Sequence, residues 1–187
     1  RKSGLVVFNP LATARRAVVD VSSLDALPAE EGPVVAVEQS TAGRRAVVDV
    51  PGFGFAVIRP PTASPPRSKP PKPLAEAAGL RNDFMEVVLD ETTGGIRGVY
   101  TPLKRGNHLS QQLGLRLPQP RPKPGDLWRD PDAEPLYSLM VAEAREVVST
   151  GPAVGEVVTR GRLLSPEGRS LARFEQRYRL PRGSRVL

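Results

Sequence analysis

Apolar residues in this chain fall in short runs, and turn residues separate the runs. That spacing predicts strands rather than helices. Leu5–Asn9, LVVFN, is an apolar strand stopped by Pro10, and Asn-Pro is a turn signal. Residues 17–21, 34–37, 46–50 and 55–58 are four further strands, with turn residues between them. Residues 74–78, LAEAA, add one predicted helical turn. A hairpin follows. In residues 84–90, Met85, Val87 and Leu89 share one face, while Phe84, Glu86 and Val88 share the other. Residues 90–95, DETTGG, supply the turn, because Asp and Thr bond locally to the backbone and glycine accepts positive φ. Residues 96–100 restart the strand. Residues 111–117 alternate Leu113, Leu115 and Leu117 with Gln112, Gly114 and Arg116, which predicts a half-buried strand. Residues 139–148, 154–164 and 169–180 form a meander of three long strands, and another strand begins at Arg185.

The heptapeptide RRAVVDV occurs at residues 15–21 and again at 44–50. Two copies are too few for a solenoid. The favoured reading is that two strands of one small sheet use the same words.

Composition narrows this picture. The chain has 187 residues with 21 prolines and 17 glycines, which favours turns over long helices. The proline-rich residues 59–73 fix φ and lack donors, so they read as an extended connector. Three regions result: a small β-sandwich over residues 1–60, a linker over 61–79, and the beginning of a larger sandwich over 80–187. No apolar run is long enough for a membrane span, and no signal peptide opens the chain, so a soluble protein without membrane partners is expected. Arg1 is not a start methionine, so the chain is expected to belong to something longer or to have been processed. Cysteine is absent, which removes disulfides, thiolate metal sites and cysteine nucleophiles. The net charge is +7. Nucleic acid is nonetheless a disfavoured partner, because the arginines are scattered and the Arg67, Lys69 and Lys72 group lacks interleaved aromatic rings.

The hairpin also carries a resemblance. Asn82, Asp83, Phe84, Val87, Asp90, Thr93, Gly94, Gly95 and Ile96 fit an N-[DE]-F-x-x-V-x-x-D-x-x-T-G-G-I run. That run resembles the start of the large C-terminal β-sandwich of glycoside hydrolase family 38, the α-mannosidase family. Upstream, VFNPL (Val7 to Leu11) and VPGFGFAVI (Val50 to Ile58) resemble the opening and closing strands of that family's small sandwich, with Gly54 and Phe55 on the closing motif. YTPLKRGNHL is a partial match to a Y-D-K-x-x-G-x-x-L segment, with Thr101 and Pro102 where Asp is usual. The surroundings of Trp128 resemble a degraded D-A-W-D segment. The resemblance implies an all-β chain, a small β-sandwich followed by part of a galactose-mutarotase-like super-sandwich. It also implies an N-terminal catalytic domain as partner. Zinc and the catalytic residues would lie in that domain, so no cofactor is expected in this chain.

The catalytic inventory agrees with that placement. Retaining glycoside hydrolysis needs a nucleophile and an acid at close range, and zinc needs three or four ligands. The chain has one histidine, His108, which reads as a loop residue without ligand-spaced partners. The close acidic pairs, Glu30 with Glu31 and Asp130 with Asp132, flank prolines and read as exposed charge. There is no G-x-S-x-G elbow and no phosphate loop. No catalytic, cofactor-binding or metal-ligating residue is therefore assigned. Trp128, the only tryptophan, is the one candidate carbohydrate contact, with burial in a core as its competing role. The expected function is non-catalytic support of a mannosidase-like barrel with carbohydrate contact. A stand-alone β-sandwich that binds carbohydrate or protein is the alternative, and an exposed row of aromatics would favour it. An unfinished second sheet would leave open edges, so self-association is a further expectation.

Overall fold

The computed structural model describes residues 4–40, 43–60, 72–118 and 135–187. It is all-β, with twelve strands and no helix among the described residues. The first five strands are β1 (Leu5–Asn9), β2 (Arg15–Asp20), β3 (Val34–Ser40), β4 (Gly43–Val50) and β5 (Gly54–Ile58). Then come β6 (Ala75–Glu76), β7 (Gly79–Arg81), β8 (Glu86–Leu89) and β9 (Ile96–Tyr100). Three long strands close the series: β10 (Leu139–Thr150), β11 (Val154–Leu164) and β12 (Ser170–Pro181). All the pairings are antiparallel.

The first unit packs the β1-β5 ribbon against a β2-β4-β3 sheet. Its core is Val21, Leu24, Val34, Ala46, Val48, Val50, Ala56 and Ile58, with Leu5, Val7 and Val19 against them. The two RRAVVDV copies lie side by side in this sheet. Arg15 is opposite Val50, Val18 opposite Val47 and Asp20 opposite Arg45. The heptapeptide thus pairs with its own sequence about a local two-fold between Val18 and Val47.

The second unit packs the four-stranded sheet β6-β7-β8-β9 against the meander β10-β11-β12. Its core joins Leu80, Val87, Leu89 and Ile96 to Val157, Tyr178 and Leu180. A third, smaller cluster spans the two units: Ala36 and Val47 from the first meet Ala153 and Val154 from the second.

Three expectations are corrected. Ala75 and Glu76, inside the predicted helical turn, are a strand paired with Leu80 and Gly79. Pairing in the tertiary structure overrides the helix preference of Ala and Glu. Residues 111–117 form no strand and make only single bridges, Gln111 to Ile96 and Arg116 to Tyr137. Residues 185–187 are also not a strand. Ser184 Oγ accepts from the Val186 amide, which turns the backbone there, and the Arg185 guanidinium lies 4.7 Å from the centre of the Phe84 ring.

Candidate functional site

The β1-β5 ribbon turns one face to the core and the other to solvent. Leu5 and Val7 pack inward with Ala56 and Ile58. Val6 and Phe8 therefore point outward, and the register sets them opposite Val57 and Phe55. Phe8 is 65% exposed and Phe55 62%. At the end of the ribbon the Phe53 amide donates to the Leu11 carbonyl at 2.8 Å, and Leu11 is also exposed. Phe53 is 73% exposed and holds φ at +47°. A bulky residue in the left-handed region costs about 1–2 kcal/mol, and its side chain recovers little of that in water. Three of the chain's five phenylalanines are thus exposed on this ribbon or at its end. Isolated exposed apolar residues are ordinary, but a contiguous patch of them marks an interaction surface.

A groove of about 460 Å³ adjoins the same surface. Phe55 and Val57 form part of its wall, with Glu31, Asp49 and Arg59 among its polar lining. Asp49 is held there by Arg16, through bonds of 2.7 and 2.6 Å from Nε and Nη2. That bond keeps the Asp49 carboxyl below its ordinary range.

The motif residues that carry the family resemblance are spent on architecture. Asn9 Oδ1 accepts from the Leu11 amide, and its Nδ2 donates to the carbonyls of Thr13 and Pro51, so one side chain ties the end of β1 to the end of β4. Asn82 does the same in the second unit. Its Oδ1 accepts from the amides of Phe84 and Met85, and its Nδ2 donates to Pro181 and Ser184 carbonyls. Asp90 Oδ1 accepts from the Thr92 and Thr93 amides and the Thr93 hydroxyl, which closes the hairpin. Those bonds, the Thr93 amide first, hold its carboxyl below the ordinary range. Gly94 sits at φ +74°, and a Cβ there would collide with the Thr159 methyl.

The charged residues missed from the sequence lie between the two units. The Glu156 side chain is fully buried. Its carboxylate takes Arg45 at 2.9 Å, Arg177 at 2.8 Å and Arg179 at 3.3 Å. Burial raises its pKa, but the Arg45 hydrogen bond and the charges of Arg179 and Arg45 outweigh that, and the net direction is down. Glu38 comes from β3. Its Oε2 accepts from the amides of Ala153 at 3.1 Å and Val154 at 2.9 Å. Its Oε1 has no hydrogen bond among the described residues and lies 3.8 Å from Arg45. Two carboxylates thus flank one arginine. Glu156 lies out of solvent and binds arginines of both units, so the cluster fastens the units together.

The other candidates fall apart from these features. Trp128 and the Asp130/Asp132 pair lie outside the described residues, as does most of the proline-rich connector. His108 is exposed and bonds the Thr101 hydroxyl at 3.2 Å. Glu30 is no isolated charge, since its carboxylate accepts from the Val37 amide. No group of three or more His, Asp or Glu side chains gathers among the described residues, nor is any helix there long and apolar enough to cross a membrane.

Comparison with protein-family models, curated proteins and solved structures gives no match.

Proposed function

We propose that this chain is a non-catalytic β region of an α-mannosidase-like glycoside hydrolase, and that its phenylalanine-bearing face docks on the N-terminal catalytic domain. The observation that carries this reading is Phe53. A strained φ and a 73% exposed ring persist together where a surface is kept for a partner. Phe8, Phe55, Val6 and Leu11 are exposed on and beside the same ribbon, and their side chains are apolar. Such a surface suits a protein partner better than a sugar, whose hydroxyls need polar contacts. The motif resemblance gives the partner its identity, an α/β barrel that would hold zinc and the reacting carboxylates.

The test is to immunopurify the native protein from source cells with an antibody against this chain. A species several times the mass of 187 residues is expected, turning over an aryl α-mannoside and losing that activity to a chelator. The isolated chain should show no turnover. A native species of the chain's own mass, without mannosidase activity, would refute the reading.

The groove beside Phe55 favours carbohydrate binding as the second reading, because Glu31, Asp49 and Arg59 offer hydroxyl partners next to an aromatic ring. Calorimetric titration with mannose oligosaccharides separates the two. Heat that disappears in Phe55→Ala supports a sugar site, and a flat titration removes it.

A further inference from the structure

We propose that β2 is a self-recognising edge, and that two copies of this chain pair through it about a two-fold axis at Val18. β2 lies at the margin of its sheet, in the order β2-β4-β3. The hydrogen-bond parity of the strand follows from two bonds. The Val21 amide donates to the Arg44 carbonyl, and the Asp49 amide donates to the Pro33 carbonyl, away from β2. Residues 15, 17, 19 and 21 therefore bond to β4. Arg16, Val18 and Asp20 turn their backbone N–H and C=O groups to the open side, where no partner is present among the described residues.

That open edge can pair antiparallel with its own copy only in registers that match Arg16, Val18 and Asp20 to one another. Centring on Val18 sets Arg16 opposite Asp20 of the second chain and Asp20 opposite its Arg16. Moving the centre to Arg16 or Asp20 sets like charges together, which is unfavourable, and centring on Ala17 or Val19 sets a charge opposite Val18 and forgoes both ion pairs. The sheet already contains a rehearsal of the favoured arrangement. In β2-β4 the same heptapeptide pairs with itself, and Arg16 bonds Asp49 across the strands at 2.6 Å. Arg16 spends Nε, one Nη2 hydrogen and one Nη1 hydrogen on Asp49 and Gly183, which leaves two donors for a second carboxylate. Val18 is 41% exposed and would meet its own copy on the axis.

The opposite margin of the sheet is blunted. β3 carries a register shift between Val34 and Ala36, and Glu30 occupies the Val37 amide. These are devices that discourage edge pairing, and among the described residues β2 has no equivalent bulge or cap on its outer edge.

The test uses the absence of cysteine. Val18→Cys would place one thiol on the two-fold axis. Directly opposed residues lie about 5.5 Å apart at Cα, inside the range a disulfide spans. Mild oxidation should link Val18→Cys at least about tenfold faster than Val186→Cys, an exposed control outside the strand. Sedimentation of the unaltered chain should show a reversible dimer at about 100 μM and above, as suits a small interface. Val18→Pro removes an N–H that serves no internal bond, so it should keep the native circular dichroism and sediment as a monomer. Asp20→Arg should weaken the dimer at least about fivefold, which keeps the proposal testable if the proline variant does not fold. A monomer throughout that range, equal cross-linking rates at 18 and 186, or a dimer indifferent to Asp20→Arg would overturn it.

Discussion

Replacing Glu38 tests how the two β units are held together. Its Oε2 takes two amide protons, from Ala153 and Val154, and both residues are fully buried. Hydrogen bonds to a charged group contribute about 1.5–3 kcal/mol each, and a buried N–H left without a partner costs about 1–3 kcal/mol. Against this stands relief: Glu38→Ala removes a buried carboxylate whose Oε1 has no hydrogen bond among the described residues, and burying an ion costs several kcal/mol. Arg45 keeps Glu156, so no cation is orphaned. The net loss expected for Glu38→Ala is about 3 kcal/mol. Glu38→Gln keeps an acceptor oxygen for the two amides and loses only the charge, for about 1 kcal/mol. Domains of this size shift by about 2–4 °C per kcal/mol, so Tm should fall by about 6–12 °C for Ala and about 2–4 °C for Gln. Differential scanning calorimetry at neutral pH reads both. It should also broaden or split the transition of Glu38→Ala, as the first unit melts apart from the second. Equal losses for Ala and Gln, or a loss below about 1 kcal/mol for Ala, would show that the carboxylate does not join the units.

Four other outcomes follow from the same structure. Gly94→Ala should destabilise by about 3–5 kcal/mol, from positive φ and overpacking against Thr159; Thr159→Ser deletes the obstructing methyl, so a double-mutant cycle in urea should recover the packing share alone. Phe53→Gly should leave stability unchanged or raise it by up to about 1 kcal/mol, since relief of the left-handed backbone exceeds the entropy glycine loses, while abolishing any docking through that face. Glu156, Asp90 and Asp49 all have folded pKa values below their ordinary 4.5, 3.8 and 3.8. Their contribution is therefore present above those values and lost as pH falls through the lower folded ones; urea midpoints should hold flat from pH 7 to about 5 and drop below about 4. Burial pushes the Tyr178 hydroxyl up to about 12, against a small opposing effect of Arg145. An ultraviolet titration should leave Tyr178 protonated at pH 11.

Much of the fold was legible because alternation survives in most strands. In β8 the apolar positions Val87 and Leu89 lie more buried than Glu86 and Val88. The self-pairing heptapeptide was legible for the same reason, since identical words suit neighbouring positions in one sheet. The ribbon face was not. Every side chain of LVVFN except Asn9 is apolar, so the sequence cannot say which side meets the core. Glu38 and Glu156 were hidden by the opposite ambiguity. A carboxylate alternating with valine reads as a solvent-facing residue, and only the contact between units brings Arg45 and the two amides to it. The helical reading of Ala75 and Glu76 failed because two residues of propensity do not outweigh a ladder with β7. The local turn role of Asp90 was legible, but that of Asn9 and Asn82 is visible only where their amides meet the backbone of distant strands.

The most direct test of the docking role is hydroxyl-radical footprinting of Phe8, Phe53 and Phe55. It would be done on the native protein immunopurified from source cells and, in parallel, on the isolated chain. The account predicts strong labelling of all three rings in the isolated chain and protection of all three in the native protein, with exposed Leu103 labelled alike in both. Equal labelling of the phenylalanines in the two samples would contradict it.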